Sequence, residues 1–290
     1  MKRTIKDYFM VTLKGVAMGA ADVVPGVSGG TIAFITDIYE ELLASIKSVD
    51  LEAAKMLFSF RFKELWKKVN GNFLCSLLLG IGISILSLAK LITTLLETHP
   101  IFIWAFFFGL VLASTLFVSQ RVKKWDVWRW LFFALGIAIA YYITIATPTE
   151  TSNSLWFIFL CGMIAICAMI LPGISGSFIL LLLGKYEYVM GALITANIPV
   201  IVVFATGAVI GIVSFSHLLT FLLKRYHDTT ISILAGFMLG SLNKVWPWKE
   251  ITLDVEKNIL PTEFIWEGIA LMAVGFLLVY IIEKLSARTG

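Results

Sequence analysis

The chain has 290 residues, of which 59% are hydrophobic and only 14% charged, and its mean hydropathy is +0.92. A soluble domain of this size carries about 25% charged residues, so the composition excludes an ordinary soluble enzyme and predicts a polytopic membrane protein. The net charge of +4 is modest and lies in loops, where it reads as membrane topology and not as nucleic-acid binding.

Apolar periodicity predicts helical segments over about 8–22, 29–46, 72–96, 101–119, 129–146, 155–170, 175–195, 198–223, 229–245 and 264–284. The start "MKRTIKDYFM" lacks the compact apolar core and small-residue cleavage site of a signal peptide, so none is expected. The pieces 8–22 with 29–46, and 155–170 with 175–195, flank "VVPGVSGG" and "ILPGISGS". They are short or polar for spanning helices, and each pair is expected to form a hairpin that enters the membrane and returns. Lys47, Lys55, Arg61, Lys63, Lys67 and Lys68 place the loop 47–70 in the cytoplasm. The same rule places Arg121, Lys123, Lys124 and Arg129 there, with Lys2, Arg3 and Lys6 at the start, whereas "TPTETSNS" faces outward. Both termini are then expected inside. The loop with Lys244, Lys249 and Lys257 fits least well, although Glu250, Asp254 and Glu256 offset its charge. Cys75, Cys161 and Cys167 lie in apolar segments without paired spacing, so no disulfide, metal or other cofactor is expected.

The two Pro-Gly-x-Ser-Gly segments belong to a longer self-similarity. Gly15 falls on Gly162, Pro25 on Pro172, Gly26 on Gly173, Ser28 on Ser175, Gly29 on Gly176, Tyr39 on Tyr186 and Glu40 on Glu187. After a longer cytoplasmic loop in the first half, Gly80 meets Gly207, Thr93 meets Thr220 and Gly109 meets Gly236, and Gly136 and Tyr141 then meet Gly275 and Tyr280. The division expected is 1–148 and 149–290, each with one broken hairpin (about 8–46 and 155–195) and three transmembrane helices, ending near 146 and 284. That is an odd number of crossings per half, so the halves are inverted relative to each other. The fold class expected is therefore an all-α membrane protein with an inverted-topology repeat and interrupted helices, the pattern of secondary transporters.

A helix starting after each break, near Ser28 and Ser175, points unpaired N–H groups and a positive dipole end toward mid-membrane, which suits a phosphate. Gly26, Gly29, Gly30, Gly173 and Gly176 allow close approach of backbone to an oxygen, and the Ser28, Thr31, Ser175 and Ser177 hydroxyls serve as caps or further donors. With Pro25 and Pro172 these residues form the candidate binding site, and Lys14 and Lys185 are candidate charge partners for the anion. Asp22 is a candidate to pair with Lys14 or to carry a proton. Tyr39, Glu40, Lys90, Tyr186, Glu187 and His217 are candidate gating or coupling residues, because ionisable groups in apolar segments are costly. The alternatives are that the breaks are capped helix starts, and that Lys14, Lys185, Glu40 and Glu187 reach the headgroup region. His99 and His227 sit at helix ends and are given no role.

"KGVAMGAADVVPGVSGGTIAFITDIYEEL" together with "LPGISGSFILLLLGKYE" resembles the polyprenyl-phosphate translocases, and the resemblance covers essentially the whole chain. It implies a flippase that returns undecaprenyl phosphate from the outer to the inner leaflet of the cytoplasmic membrane for reuse in cell-envelope synthesis. The partners implied are that polyprenyl phosphate lipid and the surrounding membrane lipids. Undecaprenyl-pyrophosphate phosphatases are the related alternative, with hairpins and a Pro-Gly-x-Ser-Arg-Ser motif. Here Gly29 and Gly176 stand at the arginine position, and hydrolysis needs that charge at the leaving phosphate. The resemblance therefore implies transport and no enzyme activity, with a small-anion transporter as a further alternative.

Overall fold

A computed structural model of the chain describes residues 3–24, 26–149, 151–252 and 255–289. The first hairpin consists of α1 (Ile5–Val23), α2 (Gly29–Ile35) and α3 (Tyr39–Lys47). After α4 (Leu51–Phe58) and α5 (Phe62–Lys68) come three long helices, α6 (Gly71–Thr98), α7 (Pro100–Gln120) and α8 (Val127–Ile145). The second hairpin consists of α9 (Leu155–Ile170), α10 (Gly176–Leu182) and α11 (Tyr186–Ile194). It is followed by α12 (Ile198–Arg225), α13 (His227–Ser241), the antiparallel strands β1 (Lys249–Thr252) and β2 (Val255–Asn258), and α14 (Ile265–Thr289).

The helix starts follow from local chemistry. Thr4 and Asp7 close a reciprocal capping box on α1, Asp126 accepts the Arg129 N–H at α8, and Ser154 accepts the Phe157 N–H at α9. Helices α6, α7, α8, α12 and α14 are long and apolar enough to cross a membrane. Of these α7 is the buried one, with more than half of its apolar stretch enclosed, whereas the others turn most of their surface outward.

Four close helix crossings hold the bundle. α1 packs on α6 through Gly15 and Gly80, and α9 packs on α12 through Gly162 and Gly207. α8 packs on α13 through Gly136 and Gly236, and α7 packs on α14 through Gly109 and Gly275. At each of these glycines an added Cβ would be driven into a backbone carbonyl of the partner helix, so backbones touch where a side chain would hold them apart. These are eight of the twelve glycines that the self-similarity matches in pairs. Two crossings lie within residues 1–148 or 149–290, and two join one stretch to the other.

The structure refines several sequence expectations. The loop 47–70 contains α4 and α5, which with the turn between them expose Leu51, Phe58, Phe60, Phe62 and Trp66 beside lysines, as helices at a membrane surface do. The second arm of each hairpin is broken, at Asp37 (φ 58°) and at Gly184 (φ 61°), and α10 and α11 meet at 109°. The span expected over 229–245 is helical only over the 15 residues of α13. Beyond it lies a β-hairpin connector that helical periodicity does not signal.

Candidate functional site

The two breaks reach the middle of the bundle. Gly19 of α1 abuts Ser84, halfway along the 28-residue α6, and Gly211, halfway along the 28-residue α12, abuts Met163 of α9. Both chains then turn through a glycine in the left-handed region, Gly26 at φ 85° and Gly173 at φ 87°, which a β-carbon would strain.

The tips interlock. The Ser28 hydroxyl lies 3.1 Å from the Met169 and Leu171 carbonyl oxygens, and the Gly173 N–H donates to Thr31 Oγ1 at 3.0 Å. Ser28, Thr31 and Ser175 are buried, as are Gly26, Gly29, Gly30, Pro172, Gly173 and Gly176. Ser177 is half-buried and shares a hydrogen bond with Ser175 at 2.8 Å. Pro25 lies outside the described residues.

The N–H groups of the first tip are already engaged. Gly29 N–H donates to Asp22 Oδ1 at 2.7 Å, Gly30 N–H to Ser28 Oγ at 3.1 Å, and Thr31 N–H to the Ser28 carbonyl at 2.9 Å. The Asp22 carboxylate therefore occupies the position where an external anion would meet this tip. A Cβ on Gly29 would lie 2.6 Å from Asp22 Oδ2. In the second tip Met169 takes the corresponding place beside Gly176, so only one tip carries a carboxylate.

Lys14 and Lys185 sit at the far ends of the short helices, not at the tips. Lys14 Nζ donates to the Thr36 carbonyl at 2.6 Å, just past α2, and Lys185 Nζ, just past α10, donates at 2.7 Å to the carbonyl of Thr151, whose hydroxyl bonds the Leu183 carbonyl at the end of α10. Each ammonium thus meets carbonyls where the helix dipole is negative. Each seven-residue helix separates its lysine from the tip by about 10 Å. Asp22 pairs with the Gly29 N–H, and Lys14 is not its partner.

The gating candidates separate by half. Tyr39 is buried against Phe34, with ring centroids 4.8 Å apart, whereas Tyr186 and Glu187 are exposed. Glu40 and His217 line one cavity of about 400 Å³ between α3 and α12, with Lys47, Lys68 and Lys224. Lys90, the counterpart of His217, is exposed on α6. Sequence reasoning missed Lys244, whose stem covers Gly26, and Arg121, which pairs with Asp37 at 2.7 Å. The signal available for Lys244 was a basic residue in a loop assigned to the outer side. Among the described residues no group of His, Cys, Asp and Glu is arranged to hold a metal.

A family described as VCA0040-like, undecaprenyl phosphate translocase-like, matches residues 18–260. The chain is similar to a polyprenyl-phosphate transporter of Vibrio cholerae serotype O1, 48% identical over 89% of this chain and 87% of that protein. It is also similar to a polyprenyl-phosphate transporter of Staphylococcus aureus, 32% identical over 95% of this chain and 96% of that protein. No solved structure matches it. With both Pro-Gly breaks inside the matched stretch, the chain belongs to the undecaprenyl phosphate translocase-like family.

Proposed function

We propose that this protein moves polyprenyl phosphate across the cytoplasmic membrane, from the outer to the inner leaflet, and binds the phosphate headgroup between its two hairpin tips. The observation that carries the site is the pair of interlocked breaks at mid-bundle, with an anion, the Asp22 carboxylate, on the backbone N–H of Gly29. A phosphate entering there replaces Asp22, and protonation of Asp22 removes the competing charge and supplies a coupling ion. The Gly29, Gly30, Ser175, Gly176 and Ser177 backbone and hydroxyl groups hold the headgroup while the isoprenoid tail stays in lipid. Inward movement against a negative-inside potential costs about 2.3 kcal/mol per charge at 100 mV, which a proton carried with the phosphate offsets. Residues 1–148 and 149–290 act as two inverted halves that rock about the tips, with both termini in the cytoplasm.

Gly29 and Gly176 at the positions of a phosphatase arginine support release of the phosphate uncut. The test is reconstitution in liposomes with a labelled polyprenyl phosphate, following leaflet exchange and free phosphate in one assay. Exchange without phosphate release is expected. Release of phosphate would sink the transport reading, and exchange that survives Gly29→Leu with Gly176→Leu would sink the proposed site.

A further inference from the structure

The chain between α13 and α14 has no counterpart between α7 and α8, which only a short turn joins. It carries Lys244 and Lys249 against the tips and α7. The Lys244 stem covers the first tip, where a Cβ on Gly26 would lie 2.6 Å from its Cγ, and its Nζ is 4.8 Å from the ring of Phe178 in α10. Lys249 Nζ lies 3.9 Å over the Trp104 ring of α7 and donates to the Lys244 carbonyl at 2.7 Å. Both ammonium groups share one oxygen, Glu256 Oε2, at 2.8 and 3.3 Å.

Among the described residues the charges do not balance. Two cations whose side chains are 16% and 8% exposed face one carboxylate that is 41% exposed. Burying an unmatched charge is unfavourable, and the aromatic faces offset only part of that cost. Burial pushes the Lys249 ammonium down to about 8, although Glu256 opposes the shift. Burial also acts to raise Glu256, but the neighbouring lysines outweigh it and hold the carboxyl below its usual range. A phosphate monoester supplies up to two negative charges and three acceptor oxygens. It satisfies both ammonium groups better than a single shared oxygen does.

We propose that Lys244 and Lys249 form a docking site for a phosphate monoester on the outer side of the hairpin tips, with Glu256 holding the place until the phosphate arrives. As a headgroup site it rests on the transport reading above. It also accounts for a basic loop on the side that the charge rule assigns to the outside. The rival is a structural clamp in which the same three groups only fasten the connector.

The two readings give opposite signs for Glu256. The full chain in detergent is titrated with a short-chain polyprenyl phosphate and, separately, with inorganic phosphate, and thermal unfolding of every variant is recorded without ligand. The site predicts that Lys244→Gln and Lys249→Gln each weaken lipid binding about tenfold, Lys249→Arg preserves it, and Glu256→Gln tightens it about threefold. Lysine variants that stay folded and bind like the parent overturn the site. So does a Glu256→Gln variant whose binding is unchanged or weaker, a measurement that stands if the lysine variants fail to fold. Inorganic phosphate that competes with the lipid supports the site as a reader of the phosphate group, and inorganic phosphate that displaces no lipid overturns it. Binding at these lysines by a protein that exchanges no lipid in liposomes overturns the transport reading and leaves the site standing.

Discussion

Asp22 and Lys249 hold the chemistry that single residues decide. Asp22 accepts the Gly29 N–H at 2.7 Å, so Asp22→Ala leaves that N–H without its acceptor, with Ser28 still capping Gly30, and is expected to cost about 1–2 kcal/mol in thermal unfolding. Asp22→Asn keeps the oxygen acceptor but cannot release a proton. It is expected to unfold like the parent and to lose at least about tenfold in lipid exchange, a barrier change of about 1.4 kcal/mol. Undiminished exchange by that variant removes Asp22 from the coupling step. The Lys249 ammonium links charge state to stability and to binding. The unfolded chain holds this proton up to 10.5 but the fold only up to about 8, so the unfolded state binds more protons between those values. The ligand-free protein should therefore gain stability as pH rises through that window. Phosphate binding should fall over the same range, because the ammonium is lost while the phosphate, with its second pKa near about 6, stays dianionic. Among the described residues Lys244 and Glu256 are the charged groups beside Lys249, and Lys249→Arg is expected to flatten both profiles, read by titration and unfolding at pH 7, 8 and 9.

At the scale of elements, backbone contact between helices is what the glycines supply. At Gly109 of α7 a methyl group would collide with the Met272 carbonyl of α14, whereas at Gly82 of α6 it would meet nothing within 4 Å. Gly109→Ala is therefore expected to destabilise by about 2–3 kcal/mol, since two packed helices must separate. Gly82→Ala should be neutral or stabilise by up to about 1 kcal/mol through helix propensity. Equal unfolding midpoints for the two variants in detergent would mean that the crossing yields easily. The short helices α2 and α10 are too brief to persist alone. They are held by interlocked tips at one end and by the Lys14 and Lys185 ammonium groups at the other.

Across the whole molecule the two ends differ. α3 packs on α12, and their junction encloses the cavity lined by Glu40, Lys47, His217 and Lys224. α11, the counterpart of α3, packs on α12 and not in the same way on α6, the counterpart of α12. A rocking mechanism requires α3 to leave α12 once per cycle. Joining Ala44 to Thr220, which line the same cavity, by paired cysteines and a short thiol cross-linker should reduce exchange to the protein-free rate, with recovery after cleavage of the linker. The variant needs Cys75, Cys161 and Cys167 replaced first. Full exchange in the cross-linked protein would show that α3 stays docked throughout.

The sequence by itself determined the membrane class, the long apolar helices, the positions of both Pro-Gly breaks and the pairing of twelve glycines. These are properties of composition and local backbone chemistry. Apolar length sets a span, and a Pro-Gly pair ends a helix wherever it lies. Only the tertiary structure decided which glycine meets which, because a crossing depends on two helices distant in the chain. It also moved Lys14 and Lys185 from the tips to carbonyls at the far ends of α2 and α10, and it put Asp22 on the Gly29 N–H. Charge in a sequence has no direction, whereas a side chain of fixed length reaches only what the fold puts beside it. For the same reason Lys244 and Lys249 read as loop charges in the sequence, and only the folded connector brings them to the tips and to the one carboxylate they share.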